Sequence, residues 1–183
     1  TAAMNTTDRP KTIYARGADN GFWLGLCFLG IFAASALSLT VAWLNIVAVA
    51  LALYVPYLTY RFLRRTHVDT HGMATFSSLW MQGIVAFACG ALIMGAGTYI
   101  YMRFIEPGFI VRVIDTAVAA YENAPFEGAA EIADELRQIV NHRLVPRPQD
   151  IVMIWMWATV FSGSLLSMLM AGVARLRRVP VSS

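Results

Sequence analysis

The densest group of residues that could do chemistry in this sequence lies between positions 67 and 71. His67-Val68-Asp69-Thr70-His71 places two imidazoles and one carboxylate at alternate positions, and all three groups are common metal ligands. No fourth ligand or general-base glutamate follows at a usual spacing. We therefore take His67, Asp69 and His71 as a weak candidate metal site and favour a solvated polar loop.

Arg103, Glu106 and Pro107 form a second candidate group, within the run Phe104-Ile105-Glu106-Pro107-Gly108-Phe109. Proline is favoured in the first turn of a helix, and a carboxylate is favourable near the positive end of the helix dipole. We interpret the run as a junction between two helices, with Pro107 in the first turn of the second one, rather than as a catalytic pair.

Motifs of the common enzyme classes are missing from the sequence. It contains no G-x-S-x-G, Walker A, G-x-G-x-x-G or H-E-x-x-H pattern. Cys27 and Cys89 lie in apolar stretches without metal-binding or redox spacing, so we interpret them as packing residues. The sequence therefore predicts no catalytic residue and no cofactor, and an enzyme is the less favoured class.

The elements that must position these residues follow from where charges are missing. Of 183 residues, 14% are charged and 58% are apolar, whereas soluble domains carry about 25% charged residues. Residues 20–60, 70–102 and 151–174 contain no Asp, Glu, Lys or Arg. This distribution excludes a disordered chain and indicates an integral membrane protein.

A membrane span needs about 20 apolar residues, so the first charge-free stretch accommodates two spans and each of the others one. The expected fold is an all-α four-helix bundle in a single transmembrane domain over residues 4–178. Its predicted spans are residues 20–38, 41–62, 76–102 and 151–174. An amphipathic helical segment, residues 107–145, lies between the third and fourth spans, and Pro146 and Pro148 end it.

Basic residues set the expected orientation. The N-terminal tail, the predicted loop 61–75 and the C-terminal tail share one side in a four-span protein, and they carry a net charge of +6. Residues 103–150 carry a net charge of −3. The positive-inside rule then places both termini in the cytoplasm and residues 103–150 outside a bacterial inner membrane. The basic side is expected to meet anionic lipid headgroups, and no nucleic acid.

The segment 107–145 shows the periodicity of two amphipathic helices, one before and one after Pro125. The second of these helices has an acidic polar face, which anionic headgroups would repel. We therefore expect the pair to cap the bundle or contact a partner, and the alternative is that it lies on the membrane surface.

Small and amide residues mark the predicted spans. Asn45 and Gln82 are amides at membrane depth, where they either hydrogen-bond across helices or line a polar path. Small residues recur at spacing seven or four and let helices approach closely in lipid; they are Gly83, Gly90, Gly97, Gly163, Ser167 and Ala171. We favour contacts within one chain, with a homodimer face as the alternative.

The junction run also carries a family resemblance. Together with the external helical stretch and the basic tail after the last span, it resembles the family called domain of unknown function 4199, which has a similar I-D/E-P-x-F-L run after its third span. The matching positions are Ile105, Glu106, Pro107, Phe109 and Ile110, and Gly21, Gly25, Tyr60 and Arg61 also fit. The resemblance covers residues 18–178. It implies a four-helix inner-membrane protein of the kind found mainly in Bacteroidota, without established activity, and weakly suggests a membrane glycosyltransferase as a partner.

Three functions stay open at this point. The charge-free membrane interior favours a non-enzymatic accessory or scaffold subunit of an inner-membrane assembly. The first alternative is a small transporter or channel that uses Asn45 and Gln82, either as one chain or as a dimer. The second is a helper of a lipid-linked glycosyltransferase, which a lipid-facing groove beside Arg103 and Glu106 would favour.

Overall fold

The computed structural model describes residues 12–125, 128–142 and 145–176, and all regular secondary structure in these ranges is helical. Four helices are long and apolar enough to cross a membrane, which confirms the expected all-α membrane architecture. They are α1 (Ile13–Ser38), α2 (Leu44–Asp69), α3 (Phe76–Ile100), which continues into a π-helical turn (Tyr101–Ile105), and α6 (Pro148–Leu176). Between them lie α4 (Phe109–Glu122) and α5 (Ala129–Asn141).

The helices extend beyond the stretches that lack charge. α1 begins at Ile13, where the Thr12 hydroxyl accepts a hydrogen bond from the Ala15 amide at 3.3 Å. α2 continues to Asp69, seven residues beyond the predicted end of the second span at residue 62, so the prediction of a loop is wrong for residues 63–69. Pro148 is the first residue of α6 rather than part of the end of the preceding helix. Hydropathy marks only the part of a helix inside hydrocarbon, and the polar ends continue past it.

α3 is the central helix of the bundle, because α1 and α6 both pack along it. Glycines of α1 make the first of these interfaces close: ideal Cβ atoms at Gly17, Gly21 and Gly25 would fall within 3 Å of atoms of α3. α2 completes the bundle by packing on α1 and on α6. The core between α1, α2 and α3 contains Leu24, Phe28, Val55, Ala86 and Phe87.

Two polar contacts show which helix ends lie together. Arg16 pairs with Asp69 at 2.9 Å and joins the start of α1 to the end of α2. Arg64 donates to the Ala174 carbonyl at 3.3 Å and joins α2 to the end of α6. We call this end of the bundle the basic end; its described basic residues are Arg16, Arg61, Arg64, Arg65 and Arg175.

The opposite end, formed by the π-helical turn, α4 and α5, is called the cap end. Phe109 at the start of α4 is buried against Ala36 of α1 and Met102 of the turn. α5 packs on α4, and Arg137 of α5 pairs with Glu122 of α4. α4 therefore holds the cap on the bundle through its apolar face, and α5 is held mainly through α4.

Candidate functional site

The candidate metal ligands are not assembled into a site. His67 is buried in the last turns of α2, Asp69 pairs with Arg16, and His71 lies exposed in the following turn with a φ of 50°. In the described ranges, no group of three His, Cys, Asp or Glu side chains could hold a metal ion. Because α2 continues through Asp69, His67 and Asp69 lie on a helix and His71 lies in the turn after it, and the three residues do not share one loop.

The two amides of the predicted spans lie towards opposite ends of the bundle. Gln82 is 1% exposed and donates from Nε2 to the Thr66 hydroxyl at 3.0 Å, which joins α3 to α2. Asn45 is exposed in the first turn of α2. Thr66 follows Asn45 by 21 residues, or about 31 Å of helix. The two amides therefore lie far apart in the bundle, and only Gln82 is buried between helices.

Thr66→Val should leave the buried Gln82 amide without its hydrogen-bond acceptor. We expect a loss of about 0.6–1.7 kcal/mol, the range of such bonds between membrane helices, measured as the free energy of unfolding in detergent. Thr59→Val is the matched control, because the buried Thr59 hydroxyl bonds to the Val55 carbonyl of its own helix. Equal losses for the two variants would show that the bond between helices adds nothing.

The small residues of α3 and α6 lie between helices of this chain. A Cβ at Gly83 would meet Ser167, one at Gly163 would meet the Phe87 ring, and Gly90 and Gly97 face α1. Ser167 and Ala171 are fully buried. All six predicted packing residues therefore lie at contacts between helices of this chain. They are Gly83, Gly90, Gly97, Gly163, Ser167 and Ala171.

The junction between α3 and α4 is built around the Glu106 carboxylate. Its Oε2 accepts hydrogen bonds from the Tyr101 hydroxyl at 2.6 Å and from the Arg112 guanidinium at 2.8 Å. Arg103 is exposed and lies outside this group. Pro107 lies in the turn before α4, so the prediction that it occupies the first turn is wrong by two residues. The sequence motif predicts a role for Glu106 at this junction, but it does not identify Tyr101 and Arg112 as its partners.

Tyr101 links this polar group to the apolar core. Its ring packs edge-on against Phe32 of α1 and Phe109 of α4, with centroid distances of 5.4 and 5.5 Å. The Glu106 amide donates to the Tyr101 carbonyl at 2.9 Å, which closes the π-helical turn. One side chain thereby fixes the positions of α1, α3 and α4 relative to each other.

A cavity of about 640 Å³ lies beneath α4 at the cap end. This volume is typical of a ligand pocket. Its walls come from the end of α1, the π-helical turn, α4, α5 and the start of α6, and the lining residues that the structure describes carry no charge. The lining residues include Phe32, Ser35, Met102, Ile110, Val113, Ile114, Ile154 and Trp155.

Two further cavities continue from this one along the bundle. A cavity of about 360 Å³ shares Phe32, Ser35 and Trp155 with it. A third, of about 530 Å³, shares Phe28 and other residues with the second and ends beside Pro56 of α2. Because neighbouring cavities share lining residues, the three lie side by side, and we call them together the apolar groove.

Two of the hydroxyl groups along the apolar groove bond to their own helix. Thr159 donates to the Trp155 carbonyl at 2.8 Å, and Ser162 donates to the Ala158 carbonyl at 2.7 Å. These donors are therefore satisfied without a ligand. The groove presents a mainly hydrocarbon surface that suits an apolar guest far better than a polar one.

A model of the family described as "Protein of unknown function (DUF4199)" matches residues 20–175. The matched range includes most of α1, all of α2 to α5 and nearly all of α6, and with them the Glu106 group and the apolar groove. No curated protein and no solved structure matches the chain.

Proposed function

The chain belongs to the DUF4199 family of proteins of unknown function, and from its geometry we propose that it is a non-enzymatic accessory membrane protein that holds the hydrocarbon chain of a lipid or lipid-linked molecule. The observation that carries this proposal is the apolar groove, a row of adjacent cavities from the cap end to Pro56 whose described lining residues carry no charge. A lipid chain is the guest because the groove lies among membrane-spanning helices and offers almost no polar contact.

The depth of the apolar groove matches one leaflet. From Leu44 at the cap end to Pro56 there are 12 residues, or about 18 Å of helix, against a hydrocarbon core of about 30 Å. Ile154 and Trp155 line the groove and are 64% and 40% exposed, so it is accessible from the lipid side. A chain could enter sideways from the membrane and stay within its own leaflet.

We infer the orientation from the charges, with both termini in the cytoplasm and residues 103–150 outside a bacterial inner membrane. The apolar groove would then open in the outer leaflet. The partner that such a site would serve is a membrane enzyme acting on a lipid-linked substrate, of which a glycosyltransferase is one example.

Transport of a polar solute is the less favoured alternative. The two amides are about 31 Å apart along the bundle, and Gln82 already bonds to Thr66. A homodimer is also less favoured on α3 and α6, because their small residues are used in contacts within the chain.

Ala158→Trp should block the apolar groove, because Ala158 lines both of its lower cavities and is exposed. If the indole displaces two methylenes at about 0.8 kcal/mol each, lipid binding should weaken about tenfold. The measurement is crosslinking of the full chain in nanodiscs by a phospholipid with a photoreactive acyl chain, followed by peptide mapping.

Ala50→Trp is the matched control, because Ala50 is exposed on α2 and lines none of the three cavities. The wild type and the Ala50→Trp variant should be labelled near Phe32 and Trp155, and this labelling should be much weaker in the Ala158→Trp variant. Labelling spread evenly over all lipid-facing helices, or unchanged by Ala158→Trp, would overturn the proposed function.

A further inference from the structure

Arg61 and Arg65 of α2 form a separate feature at the basic end. They are four residues apart, so they lie on one face of the helix. Both line a cleft of about 430 Å³ and a second cleft of about 260 Å³. Trp23, Leu58 and Phe62 are the other lining residues of the smaller cleft. The two arginines therefore lie between the two clefts.

The described carboxylates leave these two guanidinium groups without an ion-pair partner. Within the part of the chain that the structure describes, neither Arg61 nor Arg65 forms an ion pair with a carboxylate. Asp69, which also lines the larger cleft, is engaged by Arg16 at 2.9 Å. The local charge therefore favours an anion.

The depth of the arginines selects among anions. Arg61 and Arg65 follow Leu44 by 17 and 21 residues, or about 26 and 32 Å of helix. A hydrocarbon core is about 30 Å thick, so with Leu44 near one boundary the two side chains reach the other, at the level of the lipid phosphates. Arginine binds phosphate oxygens through two parallel hydrogen bonds.

The smaller cleft adds an apolar surface next to this charge. Leu58 lies one turn nearer the middle of the membrane than Arg61, and Trp23 is 61% exposed beside it. A tryptophan at the interface packs well against the first methylenes of a lipid. Free phosphate would leave this surface unused.

We propose that Arg61 and Arg65 bind the phosphodiester headgroup of an anionic phospholipid, whose acyl chain runs along Trp23 and Leu58. This site lies at the opposite end of the bundle from the apolar groove and does not depend on the proposed function. Each arginine should strengthen lipid binding about fivefold, the equivalent of about 1 kcal/mol for a basic residue near a membrane surface.

The test is a titration of the purified full chain in mild detergent with phosphatidylglycerol or phosphatidylcholine, read by native mass spectrometry. We expect tighter binding of phosphatidylglycerol, a loss of about fivefold in Arg61→Gln and of about 25-fold when Arg65→Gln is added. Arg175→Gln is the matched control, since Arg175 is exposed at the same end but lines neither cleft.

Four results would overturn the proposal. They are equal binding of the two lipids, an equal loss in the Arg175→Gln control, no loss in the double variant, and displacement of phosphatidylglycerol by inorganic phosphate at similar concentration. If the double glutamine variant does not fold, Arg61→Lys with Arg65→Lys replaces it. That pair keeps the charge but loses the paired hydrogen bonds, so binding should still weaken, and unchanged binding would count against the site.

Discussion

Gly21→Leu is expected to prevent folding or to lower the melting temperature of the bundle strongly. A Cβ at position 21 would lie 2.6 Å from the Cys89 Cβ and 2.7 Å from the Ala86 carbonyl oxygen. A backbone atom cannot step aside, so α1 and α3 would have to separate along their interface. Overpacking of this kind costs about 1–3 kcal/mol, and more where the backbone must move.

Gly172→Leu is the matched control for this substitution. It makes the same chemical change within α6, but a Cβ at Gly172 meets nothing within 4 Å. Leucine has a higher helix propensity than glycine, and both variants gain slightly less than about 1 kcal/mol from it. The control should therefore be neutral or slightly stabilised. Thermal unfolding followed by scanning fluorimetry in detergent checks this, and equal melting temperatures would show that α1 and α3 are not packed as described.

Glu106→Ala is expected to loosen α4 from the bundle. The substitution removes the acceptor of both the Tyr101 hydroxyl and the Arg112 guanidinium. Hydrogen bonds to a charged group contribute about 1.5–3 kcal/mol, and we take about 2 kcal/mol because Glu106 is 25% exposed. Amide hydrogens of α4 should then exchange about 30-fold faster, while those in the middle of α1 should not change.

Two further variants serve as comparisons for the Glu106→Ala result. Tyr101→Phe removes one of the two bonds and should give a smaller increase of the same kind. Glu131→Ala removes an exposed carboxylate on α5 and should leave α4 unchanged. If Glu106→Ala and Glu131→Ala give the same exchange rates in α4, then the carboxylate at position 106 does not hold the cap.

The membrane architecture was predictable because charged residues are costly in hydrocarbon, and their absence marks each span directly. The helix ends were less predictable. Residues 63–69 include Arg64, Arg65 and Asp69, and these charges favour a loop, but a helix that leaves the hydrocarbon can continue among polar groups. α2 does so as far as Asp69, where the ion pair with Arg16 lies.

The Glu106 group was only partly predictable. In an α-helix, residues five apart such as Tyr101 and Glu106 point about 140° away from each other. The π-helical turn brings them together, since its hydrogen bonds join residues five apart. Periodicity based on 3.6 residues per turn therefore could not pair them, and Arg112 enters the group only through the fold of the turn that follows.

The apolar groove was beyond prediction for a different reason. Phe28, Ala52 and Ala158 line it from three helices that are far apart in the sequence. Phenylalanine and alanine are common both at lipid-facing positions and in the core, so the residue types alone do not mark a groove. Only the spacing between helices decides whether such residues touch or leave a depression.

The close glycine face of α1 also bears on biosynthesis. Gly21 meets Ala86, which is translated 65 residues later, so at about 5–20 residues per second α1 waits about 3–13 s for its main partner. During that interval the first two spans form a hairpin whose glycine surface is open to lipid or to an insertion factor. A nascent chain stalled before residue 86 would therefore present a half-built bundle that membrane quality control could distinguish from the finished one.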